Sequence, residues 1–300
     1  MLHLTLRQLR VFEAVASSLS YSRAAESLFL TQPAVSMQIK QLEEVTGVNL
    51  FEQLGKKIFL TEAGSEFHHY SRNILQQLQD AENRLAELKG MGSKLTISVA
   101  STAGYIAPRL LATFCQLHPQ TKASMNVTNR ESLLHQLAQN EVGLAIMGQP
   151  PDKLKLEATS FMQNQLVVIA PANHPLTEEH DIPLSRLQQE TFLIREQGSG
   201  TRVAMERFFA EQGIELTTGT EMSTNEGIKQ AAQAGMGLGI ISLDAAALEI
   251  ESGRLRILDV QAFPIMRHWY IVHRKGKKLS STEKAFKAFL IQEAGLQLSP

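Results

Sequence analysis

Cysteine is almost absent from the sequence, and no long apolar run is present. Cys115 is the one cysteine, which excludes an internal disulfide and fits a reducing compartment. We interpret it as a packed thiol, not a redox sensor, because no resolving cysteine or neighbouring base accompanies it. No apolar stretch approaches the ~20 residues that span a bilayer, and the N-terminus does not resemble a signal peptide. We therefore expect a cytoplasmic protein without a membrane partner.

The sequence also lacks an excess of charge of either sign. Lys and Arg number 29 against 30 Asp and Glu, which gives a formal net charge of −1. Bulk attraction to a polyanion is thereby excluded, so nucleic-acid binding has to come from local placement of charge. The length of 300 residues and the hydrophobic content of 43% are typical of a globular chain with more than one domain.

No set of residues with catalytic or metal-binding spacing is found. His68 and His69 lie in a helical pattern without a second pair of ligands. No serine stands in a nucleophile elbow. The glycines between Gly235 and Gly239 follow a predicted helix and precede a predicted strand, the reverse of a dinucleotide-binding turn. We predict no catalytic residue, no metal and no cofactor, and an enzyme such as an oxidoreductase is disfavoured.

A polar helix without acids stands out near the N-terminus. No Asp or Glu occurs between Ser27 and Leu42, so this helix could approach a polyanion without repulsion. Thr31 is a favourable N-cap, and Pro33 suits the first helical turn. One narrow apolar stripe recurs at helical spacing, formed by Val35, Ile39 and Leu42. The Gln, Ser and Lys side chains on the other faces can hydrogen-bond to base edges and phosphates.

A shorter helix precedes it, separated by a tight turn. This helix is predicted to begin at a capping serine, Ser22, and its Ala24 and Ala25 would let a second helix cross closely. Two short helices with this spacing are typical of a helix-turn-helix, although an ordinary helical hairpin in a core gives the same pattern.

A short hairpin is predicted after the second helix. Strand-like pieces at 50–51 and 58–60 flank Gly55, and Lys56 and Lys57 stand at the tip. Two lysines at a hairpin tip suit phosphate contacts, as in the wing of a winged helix, although a solvated surface turn fits equally well.

The run AAESLFLTQPAVSMQIKQLEE, with LTEAG closing the hairpin, resembles the winged helix-turn-helix of LysR-type transcriptional regulators. The order of the later elements extends this resemblance over the whole chain. The segment FEQLGKKIFLTEAG, with GSGTR further on, resembles sequences of the branch that regulates Calvin-cycle (RuBisCO) operons. The expected DNA-binding residues are Thr31, Gln32, Pro33, Ala34, Ser36, Met37, Gln38, Lys40, Lys56 and Lys57.

A long helix is predicted from the cap Thr61 to about Lys89. Its narrow apolar stripe has spacings of three and four that alternate, with one extra four between Ile74 and Leu78, as in a coiled-coil seam with a stutter. The stripe consists of Phe67, Tyr70, Ile74, Leu78, Ala81, Leu85 and Leu88. So narrow a stripe on a polar helix predicts a partner helix, for which a second copy of the chain is the natural choice. Residues 90–93 would form a flexible joint.

Strands and helices alternate from Lys94 onward, which predicts a mainly parallel sheet in each of two lobes. The predicted fold class is α+β overall: a winged helix-turn-helix at 1–61, a linker helix at 62–92 and a regulatory domain at 93–300. The resemblance implies that this last domain is a two-lobed α/β fold like type 2 periplasmic binding proteins. Lobe I would hold about 93–164 and 266–300, and lobe II about 165–265.

Four segments follow strands at positions where α/β folds bind ligands. They contain the expected effector-binding residues Ser101, Thr102, Met147, Gly148, Gln197, Gly198, Ser199, Gly200, Thr201, Arg202, Thr224 and Asn225. A loop with two glycines and Arg202 at a helix N-terminus suits an anion, so a phosphorylated or carboxylated metabolite is expected. Helix capping is the simpler role for each segment alone, and Arg202 could instead pair with a surface acid.

The resemblance implies a transcriptional regulator, with activation as one possible role, that binds double-stranded promoter DNA. It also implies a homodimer or homotetramer and makes RNA polymerase a further candidate partner. Carbon-fixation genes are the expected target. A solute-binding protein of a transport system is the alternative, because its lobes would match. That alternative leaves the first ninety or so residues without a role.

Overall fold

Two units make up the structure, a computed structural model that describes residues 3–55, 57–88 and 92–292. The first unit comprises Met1–Met91 with Gln139–Glu141, and the second comprises Gly92–Ala138 with Val142–Pro300. In the described part of the chain, no helix is both long and apolar enough to cross a membrane.

The first unit is helical with a small hairpin. Its elements are α1 Leu6–Ser18, α2 Tyr21–Leu28, α3 Gln32–Thr46, β1 Phe51–Leu54, β2 Lys57–Leu60 and α4 Glu62–Leu88. Strands β1 and β2 pair antiparallel around Gly55, whose φ of 64° is left-handed. The hairpin therefore forms as predicted, with Lys57 exposed beside its tip. Lys56 lies outside the described residues.

Local caps set the starts of the two central helices. The Thr31 hydroxyl accepts the Ala34 N–H at 3.4 Å and begins α3 as predicted. The cap of α2 is Ser20, which accepts the Arg23 N–H at 3.3 Å. The prediction of Ser22 as the cap is wrong, because Ser22 already lies inside the helix and only Ser20 has extended backbone.

The core of this unit lies where α1, α2 and α3 cross. Phe12 is fully buried there, with its ring 4.9 Å from that of Phe67 on α4. The predicted stripe is buried, and so are the small residues of α2: Val35, Ile39, Leu42, Ala24 and Ala25. Small side chains at the crossing allow the two helices of the helix-turn-helix to approach closely.

Helix α4 starts on the cap Thr61, which accepts the Gly64 N–H at 2.9 Å. Part of its apolar stripe stays exposed in the single chain: Tyr70 is 58%, Ile74 45% and Leu85 58% exposed. The side chain of Leu88, and the residues 89–91 that were expected to end the helix and begin the joint, lie outside the described residues.

The second unit alternates strands and helices. Its strands are β3 Ser93–Ala100, β4 Thr121–Thr128, β5 Ala145–Met147, β6 Leu156–Pro171, β7 Thr191–Arg195, β8 Thr217–Met222, β9 Leu238–Ser242, β10 Leu255–Ile257 and β11 Ile265–Arg274. Its helices are α5 Ala107–Leu117, α6 Arg130–Ala138, α7 Gly200–Glu211, α8 Asn225–Gln233, α9 Leu243–Glu251 and α10 Ser281–Gln292.

The strands form a sheet in the order β4-β3-β5-β11-β6-β9-β7-β8, with β10 also on β6. Strands β3, β4 and β5 are parallel, as are β7, β8 and β9. The prediction of mainly parallel sheets is only partly right, because β6 pairs antiparallel with β9, β10 and β11, and β11 also with β5. Long strands running between two halves have to reverse direction to return.

Each half has its own hydrophobic core, and β6 and β11 contribute to both. In the first, Ile97, Phe114, Trp269 and Phe286 pack together with residues of β3, α5 and α10. In the second, Leu166 and Val168 of β6 pack with residues of β7, β9 and α7. We call these halves lobe I and lobe II. The expected boundary near 165 falls inside β6.

Truncating Phe114 should selectively destabilise lobe I. This side chain is fully buried, with ring centroids 5.1 Å from Phe286 and 5.6 Å from Phe289. Phe114→Ala should cost about 3–5 kcal/mol, read by the fluorescence of the single Trp269 during urea unfolding. Leu117→Ala on the same helix is the control, since Leu117 is 58% exposed. An equal loss in both variants would contradict this account of the core.

Candidate DNA-binding surface and ligand cleft

Helix α3 presents a polar face to solvent. Most of the predicted contact residues are exposed on or just before it, namely Thr31, Gln32, Pro33, Ser36, Met37 and Lys40, while Ala34 and Gln38 are half-buried. The buried stripe fixes the helix on α1 and α2, so the exposed face has a fixed orientation within this unit.

Glu43, the first acid after this polar face, has a structural role that turns its carboxylate toward the hairpin. Glu43 Oε1 accepts the backbone N–H groups of Leu50 at 2.8 Å and Phe51 at 3.2 Å. Its carboxylate thus anchors the start of the hairpin. Sequence reasoning missed this role, which depends on the path of the chain after α3.

In the second unit, three predicted residues from three separate segments meet at the ends of strands. A 3₁₀ turn at Ser101–Tyr105 follows β3 and carries Thr102. The Thr102 hydroxyl lies 3.4 Å from that of Thr201 and accepts the Asn225 side-chain N–H at 3.3 Å. Thr102, Thr201 and Asn225 are all buried. The structure therefore brings these segments of lobe I and lobe II together.

Arg195, which sequence reasoning missed, lies at the centre of this network. It is 2% exposed at the end of β7 and donates to Ser101 Oγ at 3.2 Å and to Asn225 Oδ1. Its charge is balanced by Glu196, at 2.8 Å and 3.0 Å. The sequence did contain one signal for Arg195, because a charged residue stands there at the end of an otherwise apolar strand.

Other predicted cleft residues have structural roles. The Thr224 hydroxyl caps α8 by accepting the Gly227 N–H at 2.9 Å. Met147 is fully buried in a core cluster. Gly198 has a φ of 82° and its carbonyl accepts the Glu131 N–H at 3.3 Å, while Ser199 is buried and Gln197 exposed.

For Arg202 the structure shows the alternative role, pairing with surface acids, in place of the expected anion-binding role. Its guanidinium donates to Glu206 at 2.7 Å and to Glu221 at 2.6 Å. Hydrogen bonds to Glu206 and then Glu221 raise the pKa of Arg202 above its usual value. Because both carboxylates already satisfy this charge, Arg202 is not a free anion receptor.

Two other arginines lie beside Gly200, in the glycine-containing loop where Arg202 was expected to bind an anion. Arg130, at the start of α6, donates to the Gln149 carbonyl at 2.9 Å. Arg267, on β11, donates to the Gly200 carbonyl at 3.1 Å. Burial, followed by repulsion from Arg130 and Arg207, lowers the pKa of Arg267 to about 10. Burial also lowers the pKa of Arg130.

A buried lysine joins the far end of the Ser101–Tyr105 turn to lobe II. Lys229 on α8 lies 2.8 Å from Glu249 and 3.0 Å from Glu226. Its ammonium is 5.2 Å from the centroid of the Tyr105 ring. Lobe I therefore contacts α8 through Tyr105 as well as through Thr102.

No group of three or more His, Cys, Asp or Glu residues that could hold a metal ion is found within residues 3–55, 57–88 and 92–292. The site thus comprises a polar reading helix in one unit and, in the other, a junction between lobes I and II that is lined by arginines and hydroxyl groups. Together they define a DNA-binding protein with a ligand-binding domain.

Comparison with known families agrees with this class. The model of the bacterial regulatory helix-turn-helix protein, lysR family, matches residues 6–65. The LysR substrate binding domain matches residues 89–295. The chain belongs to the LysR family of transcriptional regulators. The helix-turn-helix match leaves the solute-binding alternative without support.

Relatives cover nearly the full chain. The RuBisCO operon transcriptional regulator of Allochromatium vinosum is 54% identical over 294 residues, 98% of this chain and 97% of that protein. The HTH-type transcriptional activator CmpR of Synechocystis is 44% identical over 287 residues, 95% of this chain and 94% of that protein.

Solved structures agree on the fold. The regulatory domain of Synechocystis CcmR in complex with 2-PG covers 66% of this chain and 95% of its own, at 39% identity and a TM-score of 0.63. CbnR, a LysR family transcriptional regulator, is 22% identical; its structure covers 96% of this chain and 98% of its own with a TM-score of 0.71.

Removing Arg195 should destabilise the protein far more than removing Arg202. Arg195→Met would leave Glu196 and Asn225 without their partner in a buried network, at a cost of about 3–5 kcal/mol. Arg202→Met is the matched control, since its partners are more than half exposed, and should cost under about 1 kcal/mol. Thermal unfolding of both variants measures the difference, and equal melting temperatures would refute the central role of Arg195.

Proposed function

We propose that the protein regulates a RuBisCO operon by binding its promoter as a homo-oligomer and responding to a small anionic metabolite. The observation that carries this proposal is the 54% identity to a RuBisCO operon transcriptional regulator over nearly the full length of both chains. CmpR, which is 44% identical to this chain, is described as a transcriptional activator. This description supports activation. The proposal also assigns RNA polymerase as a partner, a cytoplasmic location and no catalytic activity.

Helix α3 is the element proposed to enter the major groove. Gln32, Ser36 and Lys40 supply hydrogen-bonding groups on its exposed face, and Met37, 55% exposed, can contact a thymine methyl group. Lys57 beside the hairpin tip would contact flanking phosphates. Lys56 is assigned the same role on its sequence position alone.

Loss of a base contact should lower specific binding without affecting non-specific binding. Gln32→Ala and Ser36→Ala should each weaken binding to the RuBisCO promoter by about 1–3 kcal/mol per lost contact. Fluorescence anisotropy with promoter and scrambled duplexes, at several salt concentrations, measures both affinities.

Two further variants complete this test. Lys57→Ala should weaken binding to both duplexes and reduce the salt slope by about 1, because a phosphate contact releases counterions. Gln77→Ala on the exposed face of α4 should change neither affinity. If wild type does not prefer the promoter, the proposed function is wrong.

The exposed stripe of α4 supports self-association. Tyr70, Ile74 and Leu85 are large apolar side chains exposed on one helix, a pattern typical of a seam between helices. We propose that a second copy of α4 covers them. Such a seam would hold two α3 helices in one oligomer, either a dimer or a tetramer built from dimers.

Charges placed in this seam should separate the copies. Leu78→Asp with Leu85→Asp should lower the mass measured by sedimentation velocity, because two unpaired carboxylates per chain would be buried at the interface. Gln77→Asp, one position from the stripe on the exposed polar face, is the matched control and should leave the mass unchanged. An intact oligomer in the double variant would rule out α4 as the seam.

The cleft is proposed as the effector site. CcmR, whose regulatory domain is 39% identical, was solved in complex with 2-PG, which is 2-phosphoglycolate. This supports a phosphorylated or carboxylated ligand for the present chain. The proposed contacts come from Ser101, Thr102, Gly148, Gln197, Gly198, Ser199, Gly200, Thr201 and Asn225. Ligand binding across two lobes would couple to DNA binding by about 1–3 kcal/mol.

A further inference from the structure

Arg130 and Arg267 differ from the other arginines near the cleft because no carboxylate balances them. Arg195 pairs with Glu196, and Arg202 with two acids. Within the described part of the chain, neither Arg130 nor Arg267 has an acidic group within ion-pair distance. The neighbouring Glu131 lies against Gly198 instead. Two half-buried positive charges therefore lie on either side of Gly200 without a balancing acid, and Arg130 and Arg207 both repel the charge of Arg267.

The two guanidinium groups reach the same two stretches of backbone. Arg130 donates to the carbonyl of Gln149, while Arg267 Nη2 lies against Gly148, where a Cβ would overlap it. On the other side, Arg267 donates to the Gly200 carbonyl, and a Cβ on Gly200 would lie 2.9 Å from Arg130 Cδ. Glycine at both positions is what leaves room for the pair.

The backbone carbonyls accept only some of the N–H groups of Arg130 and Arg267, and they balance neither positive charge. A guanidinium carries five N–H donors in a planar fork that suits phosphate and carboxylate oxygens. Each carbonyl takes one donor and carries no net charge. Desolvation and mutual repulsion both oppose the pair in the unliganded protein, and an anion would relieve both.

We propose that Arg130 and Arg267 are the anion receptor of the effector site, and that they select a ligand carrying two anionic groups on a short carbon chain. This inference rests on the proposed effector function of the cleft. Two separate forks provide for two acidic groups, one on each guanidinium. The Thr102 and Thr201 hydroxyls, next to Gly200, are placed to bind neutral oxygens between them.

The test is calorimetric titration of the full-length protein with three probes. These are 2-phosphoglycolate, which has a phosphate and a carboxylate, methyl phosphate, which has only the first, and glycolate, which has only the second. Wild type should bind 2-phosphoglycolate at least about tenfold more tightly than either fragment, since charge-assisted bonds to the second group are lost in each. Equal binding of methyl phosphate would overturn the selection for two groups.

Neutral variants identify the receptor. Arg130→Gln and Arg267→Gln should each weaken 2-phosphoglycolate binding at least about tenfold. Arg202→Gln, whose guanidinium is already paired with Glu206 and Glu221, is the matched control and should bind like wild type. If either receptor variant binds as tightly as wild type, or if only Arg202→Gln loses binding, the assignment is wrong.

Thermal unfolding without ligand separates a receptor from a structural role. Because the two charges are uncompensated, Arg130→Gln and Arg267→Gln should melt at or above the wild-type temperature, and should lose the increase that 2-phosphoglycolate causes. A lower melting temperature in both would mean that the arginines hold the fold, and would overturn the proposal. Promoter binding is measured on the same samples. Its absence in wild type would overturn the proposed function itself, whereas its presence with an unaltered ligand response in the variants would overturn only this inference.

Discussion

The antiparallel pairing of β6 with β11 is the constraint on which the second unit depends. Leu156–Pro171 and Ile265–Arg274 run side by side, from Arg274 opposite Leu156 to Ile265 opposite Leu166. Each strand leaves one hydrophobic core and enters the other, so the two lobes share one hydrogen-bonded ladder, whose register shifts between Trp269 and Tyr270. Arg267 lies on this shared ladder, which holds its guanidinium at the junction of the lobes. The position of the charge thus follows from the topology and not from a local loop.

The first unit could be predicted nearly completely, because its signals are local. The cap Thr31, the stripe from Val35 to Leu42 and the tip Gly55 each act within a few residues of the chain. Helical spacing alone indicated which side of α3 is buried. The error at Ser22 came from a choice between two serines two residues apart, which only the backbone conformation at Ser20 resolves.

The second unit was harder to predict because its strands are placed by distant partners. Strand β8 was missed, since its residues are polar and almost entirely exposed at the sheet edge. That omission explains part of the error at Arg202, because β8 carries Glu221. The other partner, Glu206, stands four residues after Arg202 on α7 and could have been anticipated. Arg130 and Arg267 gave no signal, because nothing in the sequence shows that residues so far apart share the carbonyls of Gln149 and Gly200.

The Ser101–Tyr105 turn touches α8 at both of its ends. Thr102 meets Asn225 and Tyr105 meets Lys229, and these two positions of α8 lie about one helical turn apart. If the turn moves at one of these contacts while the other contact is kept, it has to rotate about the kept contact. Glu226 and Glu249 fix the ammonium of Lys229 within lobe II, and its contact with the turn is a cation–π contact with the Tyr105 ring. A ligand that separated Thr102 from Asn225 would therefore rotate the turn about its Tyr105 end, where the contact with Lys229 is kept.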